Sequence, residues 1–198
     1  VIFILLSGAP SHVDTFDLKV INGTTPDPVQ PETIHGLLWP AGVLPKLAQH
    51  LPDLAIVRSV TAWNLQHTLG QTWVQIGRNP AGVLGDVAPN IGSIISVEKA
   101  GERSPGQVFP SFLALNSAGA VGSGYLPASH APFKVTPSTG GLPNVTHPDG
   151  ASRFQDKWKT LYALDEPLRT HSPLGAEVSD YDVFYQAARG LMYNPVVD

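Results

Sequence analysis

The sequence predicts an α/β protein built on a partial doubly wound, mostly parallel β-sheet flanked by helices. Three short apolar runs, at residues 1–6, 54–57 and 112–115, carry this prediction. A continuous apolar run that does not alternate with polar residues is typical of a strand buried on both faces, as in a parallel sheet. The segments between the runs hold apolar residues at helical spacing, so helical crossovers are expected to join consecutive strands.

The helices are predicted from apolar stripes and from residues that favour helix ends. Leu69, Trp73 and Ile76 form one stripe, and Gly77 suits the C-terminal end of that helix. Ser152 begins a capping-box pattern that would open a later helix. In chain order, helices are predicted over residues 43–51, 66–76 and 91–98, from 152 onward, and from about 179 to 194.

Two long segments, residues 18–41 and 116–151, show little periodicity and are predicted to be irregular loops. The chain contains 19 glycines and 19 prolines, which favour irregular connections between few regular elements. A parallel sheet of three strands leaves an open edge. We therefore expect either the remainder of its own chain or another protein subunit to cover that edge.

The composition excludes several classes of function. The formal net charge of −4, with 12 lysines and arginines, gives no basic surface for nucleic acid. The absence of cysteine excludes thiolate catalysis and cysteine-ligated metal centres. No apolar run reaches the about 18–20 residues that a membrane-spanning helix needs, so no transmembrane segment is predicted. No glycine-rich nucleotide-binding sequence follows a predicted strand.

Residues 6–17 read Leu-Ser-Gly-Ala-Pro-Ser-His-Val-Asp-Thr-Phe-Asp. This sequence resembles the opening signature of a bacterial family, the domain of unknown function 1501, which usually reads Gly-Gly-Pro-Ser-His-x-Asp-Thr-Phe-Asp. Further stretches resemble later segments of the family in the same order, at residues 54–60, 67–80, 89–93 and 124–133. The resemblance covers most of the chain.

That family is sulfatase-like and related to the alkaline phosphatase superfamily. The resemblance implies a large α/β sandwich, of which residues 1–198 would form the N-terminal portion of one domain. It implies metal-dependent hydrolysis of phosphate or sulfate esters, with the remaining metal ligands in the second half of the full-length protein. It also implies a periplasmic or otherwise exported protein, although this chain shows no signal sequence.

His12 and Asp14 are the candidate metal ligands. They follow the first predicted strand, at the edge of the sheet where ligands bind in α/β proteins. One imidazole and one carboxylate suit a divalent ion such as zinc, calcium or magnesium. The alternative is that Ser11 or Asp14 caps a turn and that His12 bonds a carbonyl group.

His67 and Arg78 are the candidate catalytic residues. The resemblance places His67 at the nucleophile position of the superfamily, where it would act as nucleophile, general base or ligand. Arg78, and with less support Arg58, would hold an anionic ester by bidentate contacts. The alternatives are a histidine that bonds nearby backbone at a helix start, and arginines that bond carbonyl groups or form structural ion pairs.

Two functions are consistent with these observations. The first is an exported sulfatase-like protein that, at full length, hydrolyses phosphate or sulfate esters with a divalent metal. The second is a non-catalytic structural or interaction subunit that retains the fold. The second is favoured by Gly8 and Ala9, which stand where sulfatases place aspartates, and by His67, because histidine cannot become the formylglycine of a sulfatase.

Overall fold

A computed structural model describes residues 1–8, 10–61, 64–85, 87–117, 122–173, 175 and 177–197. The chain divides into two compact units, Val1–Leu65 and Gln66–Asp198. Both helices and small sheets are present, so the protein is mixed α/β. Within the described ranges, every helix is too short or too polar to cross a membrane.

Among its described residues, the first unit contains a β-hairpin, a short α-helix and single turns of 3-10 helix. Strand β1 (Pro31–Ile34) pairs antiparallel with β2 (Leu37–Pro40), and helix α1 covers Pro45–Ala48. The two residues between the strands, His35 and Gly36, have φ values of 50° and 76°. Positive φ at both positions gives the tight turn whose twist matches that of the flanking strands.

Trp39 is the centre of the first unit. Its side chain is 0 % exposed, and its indole Nε1 donates a hydrogen bond to the carbonyl oxygen of Leu44 at 3.0 Å. The ring of Phe16 meets it edge to face, with the ring centroids 6.0 Å apart. Leu18 and Val29 are also buried, so this small core fixes residues 16–18 against the hairpin.

The second unit is mainly helical. Its two strands, β3 (Leu113–Leu115) and β4 (Phe133–Val135), pair in parallel, with Leu113 opposite Phe133. Its helices are α2 (His67–Ile76), α3 (Ile91–Glu98), α4 (Gly150–Leu164), α5 (Glu166–Thr170) and α6 (Glu177–Leu191).

Aromatic rings join α4 to α6 and to the segment that follows it. Trp158 lies 5.8 Å from Tyr185 between ring centroids, and Phe154 lies 6.0 Å from Tyr193. Arg169 on α5 pairs with Asp182 on α6 through a contact of 3.2 Å between Nε and Oδ1. Aromatic contacts and polar contacts of arginine side chains therefore hold the three C-terminal helices together.

The helix predictions are largely confirmed. Helix α2 ends at Gly77, which has a φ of 69°, and α3 covers the predicted residues 91–98. The helix predicted over 43–51 is shorter, because a 3-10 turn at Leu51–Asp53 replaces its last part. The capping box at Ser152 is wrong, since α4 already begins at Gly150.

The predicted three-stranded sheet is not what the described residues form. Only the run at 112–115 becomes a strand, and the structure has two separate two-stranded sheets. The runs at 1–6 and 54–57 lie in neither sheet, and most of their side chains are exposed. A parallel strand exists only where a neighbour supplies its hydrogen bonds, and apolar sequence alone does not supply that neighbour.

The two segments predicted as irregular loops contain regular structure. Residues 18–41 include the whole β1–β2 hairpin, and residues 116–151 include β4 and the start of α4. Both hairpin strands have only four residues, and prolines stand at their outer ends. Such short strands show too few alternations to be recognised as periodic.

Candidate functional site

The segment after the first apolar run folds into a tight turn that carries both candidate metal ligands. His12–Asp14 is one turn of 3-10 helix, and the Asp14 amide donates to the carbonyl of Ser11 at 3.2 Å. The buried Thr15 hydroxyl donates to the same carbonyl at 2.9 Å. Thr15, rather than Ser11 or Asp14, thus fixes the turn by its side chain.

The turn is also tied to the residues that follow it. The amide of Asp17 donates to the carbonyl of His12 at 3.0 Å, and the amide of Lys19 donates to that of Val13 at 2.9 Å. Leu18, between them, is buried in the core of the first unit. The backbone of His12 and Asp14 is therefore well anchored, while the His12 side chain is exposed and that of Asp14 half-buried.

Asp17 is the electrostatic centre of this region. Its Oδ1 accepts a hydrogen bond from Lys19 Nζ at 3.0 Å and lies 3.8 Å from Arg58 Nε. Arg58 directly follows the second apolar run, so this ion pair joins the two segments that follow the first and second apolar runs. The hydrogen bond from Lys19, aided by the charges of Lys19, Arg58 and His12, lowers the pKa of the Asp17 carboxyl against the opposing effect of desolvation.

The described part of the chain does not hold a complete metal site. It contains no group of three or more histidine, aspartate or glutamate residues that could surround an ion. His12 and Asp14 share one turn and supply two donors of suitable chemistry, but a stable divalent site needs more ligands than two. Their assignment as ligands stays a prediction.

The candidate catalytic residues lie in the second unit, at opposite ends of one helix. His67 is the first residue of α2, and Arg78 follows Gly77, which ends it. A helix of ten residues is about 15 Å long, so α2 does not bring the two side chains to one point. Both residues are exposed.

A family model described as Protein of unknown function (DUF1501) matches residues 1–196. The chain belongs to this family. No curated protein and no solved structure matches it. The resemblance in residues 6–17 and in the later stretches is thus confirmed at the level of the DUF1501 family. Its relation to sulfatases and to the alkaline phosphatase superfamily stays a prediction.

Sequence reasoning missed two groups of polar residues in this DUF1501 protein. The first is Asp17 with Lys19, described above. The second is a buried contact in which Asn90 Nδ2 donates to Gln75 Oε1 at 2.9 Å. Asn90 also caps α3 by accepting from the Gly92 amide at 2.7 Å. An asparagine directly before the predicted helix over 91–98 was the available signal for that cap.

Proposed function

We propose that this DUF1501 protein contributes the substrate-side loop of an exported, metal-dependent phosphate or sulfate ester hydrolase. In this proposal the chain is part of a larger doubly wound, sulfatase-like domain. The ion pair between Arg58 and Asp17 carries the proposal, because it holds an anion-binding side chain beside the turn that presents His12 and Asp14. Cationic groups beside metal ligands are what hydrolysis of an anionic ester requires.

The residues have distinct roles in the proposal. His12 and Asp14 hold a divalent ion (zinc, calcium or magnesium), and the remaining ligands come from the remainder of its own chain or from another protein subunit. Such an ion would supply Lewis-acid chemistry toward the ester when bound. The roles that the resemblance gives to His67 (nucleophile or general base) and to Arg78 (holding the ester) stay predictions, because the two residues lie at opposite ends of α2.

Metal affinity tests the proposed ligands. His12→Ala and Asp14→Asn should each weaken binding of Zn²⁺, Ca²⁺ or Mg²⁺ by at least about tenfold, since losing a ligand costs no less than losing its outer-shell partner. Binding to the full-length protein, with any partner subunit present, is measured by equilibrium dialysis with elemental analysis. His50→Ala is the matched control, because His50 is an exposed histidine of the same unit, 3.7 Å from Asp53 between Nδ1 and Oδ2. Equal losses in all three variants, or none, would contradict the proposal.

A second candidate function is a non-catalytic interaction subunit. Its support is the exposure of apolar side chains on the two runs that lie in neither sheet. Ile2 is 89 % exposed, Ile4 73 % and Val57 69 %. Contiguous apolar residues in contact with water are unfavourable and mark surfaces that another polypeptide covers.

This second function predicts a stoichiometric partner that buries the first run. The variant Ile2→Asp/Ile4→Asp should lose that partner, because burying two carboxylates in an apolar contact is strongly unfavourable. Native mass spectrometry of the protein from its natural source measures the complex. Val83→Asp is the control, since Val83 is exposed but lies in neither run. A stable monomer that hydrolyses a model phosphate or sulfate ester would exclude the non-catalytic function.

A further inference from the structure

We propose that Arg58 and Lys19 form a binding site for a tetrahedral oxyanion, a phosphate or sulfate group, and that Asp17 is the positioning residue that orients Arg58. The proposal rests on the proposed function for the identity of the ester that carries this group. It adds Lys19 and Asp17 to Arg58, which the sequence had offered, with less support than Arg78, as a residue that holds the ester.

Arg58 has the donors that such a ligand needs. Its Nε lies 3.8 Å from Asp17 Oδ1, which is an ion pair but too long for a hydrogen bond. Within the described residues its guanidinium donates no hydrogen bond, and the residue is exposed. A guanidinium presents its N–H groups as a fork that matches two oxygens of a phosphate or sulfate.

Lys19 supplies a second cation at the same place. Its Nζ donates to Asp17 Oδ1 at 3.0 Å, and this is the oxygen that Arg58 also approaches. The two cations are therefore neighbours around one carboxylate oxygen. An ammonium group has three donors, so Lys19 can bond Asp17 and still donate to a ligand.

Asp17 is the fixed member of the three. Its amide is bonded to the His12 carbonyl at 3.0 Å, and its neighbour Leu18 is buried in the core of the first unit. Lys19 and Arg58 are long, exposed side chains with more rotational freedom. The anchored carboxylate therefore determines where the two cations lie, and not the reverse.

The balance of charge favours a small anion. Two cations against one ionised carboxylate leave a net positive charge at this point, which suits a single phosphate or sulfate group. The whole chain carries a formal charge of −4, which opposes the approach of a polyanion such as nucleic acid. A site of two adjacent cations within a negatively charged protein selects small anions over extended ones.

Binding of inorganic phosphate and inorganic sulfate to the purified protein tests the proposal. It is measured by calorimetry in a metal chelator, with ¹H–¹⁵N spectra that follow the Arg58 Nε–H signal. Both anions should bind and shift this signal. Arg58→Lys keeps the charge but loses the fork, so it should weaken binding by about tenfold or more, as loss of a charge-assisted hydrogen bond does.

Lys19→Met should also weaken binding, whereas Lys46→Met, which removes an exposed lysine of the same unit, should leave it unchanged. Equal effects of the two lysine variants, or full affinity in Arg58→Lys, would overturn the site. Acetate bound as tightly as phosphate would overturn its selectivity for a tetrahedral group. Far-UV circular dichroism confirms that each variant is folded.

The variant Asp17→Asn distinguishes two effects of Asp17 on anion binding, its orientation of Arg58 and its negative charge. Removing a negative charge beside two cations would by itself strengthen anion binding. If Asp17 orients Arg58, the variant should instead bind phosphate more weakly, and stronger binding would overturn the positioning role. Because phosphate binding is measured without metal and metal binding without phosphate, either proposal can fail while the other stands.

Discussion

Replacing Trp39 with alanine is expected to lower the free energy of unfolding by about 3–5 kcal/mol. The side chain is fully buried, so its removal leaves a large cavity in a small core. The variant also loses the hydrogen bond from Nε1 to the Leu44 carbonyl and the edge-to-face contact with Phe16. Among the described residues, Trp39 is the only aromatic side chain that is fully buried, so no other ring can compensate for these lost contacts.

Urea unfolding followed by far-UV circular dichroism measures this effect. Trp39→Phe keeps most of the ring and should cost less than Trp39→Ala. Leu65→Ala is the control, since Leu65 is 97 % exposed and its truncation should change stability by less than about 0.5 kcal/mol. A Trp39→Ala protein as stable as the control would show that the hairpin core does not hold the first unit together.

Replacing Asn90 with alanine is expected to cost about 2–4 kcal/mol, because one side chain serves two purposes. Its Oδ1 caps α3 through the Gly92 amide, and its Nδ2 donates to the buried Gln75 Oε1. The variant loses the cap and deprives a buried amide oxygen of its Asn90 donor. Desolvated acceptors that lose a donor are costly, since water does not replace it.

Asn79→Ala provides the comparison for Asn90→Ala. Asn79 Oδ1 also accepts a backbone hydrogen bond, from the Ala81 amide at 3.0 Å, but at an exposed position. Asn79→Ala should therefore lower the free energy of unfolding by well under half as much as Asn90→Ala, because water can accept a hydrogen bond from the Ala81 amide that loses its partner. Thermal unfolding of the two variants side by side measures the difference. Equal costs would mean that the contact between Asn90 and Gln75 contributes nothing to stability.

The helices of the second unit were predictable because their signals are local. Leu69, Trp73 and Ile76 lie within one helix, and Gly77 adopts the left-handed conformation that ends it. The prediction that Ser152 caps a helix was also based on a local pattern, and it was wrong. The helix already begins at Gly150, so Ser152 is an interior residue. Short-range patterns predict that a helix exists more reliably than where it begins.

The strands and the site were harder to predict because they depend on distant residues. An apolar run becomes a strand only if another segment pairs with it, and residues 1–6 and 54–57 have no such neighbour among the described residues. The turn that carries His12 and Asp14 follows a recognisable sequence. The contact between Asp17 and Arg58 has no such sequence signal. Nothing in the sequence near Asp17 indicates which lysine or arginine will pair with its carboxylate.

The parallel pairing of β3 with β4 determines when this small sheet can form during folding. Each strand pairs through only three residues, so the pairing contributes little stabilising free energy. This contribution must offset the entropy lost when the long connection between the two strands is closed. A side-chain contact between Ser96 Oγ and His130 Nδ1 at 3.0 Å holds the chain against α3 three residues before β4 begins. Because this pairing is non-local, we expect the sheet to form late in the folding of the second unit.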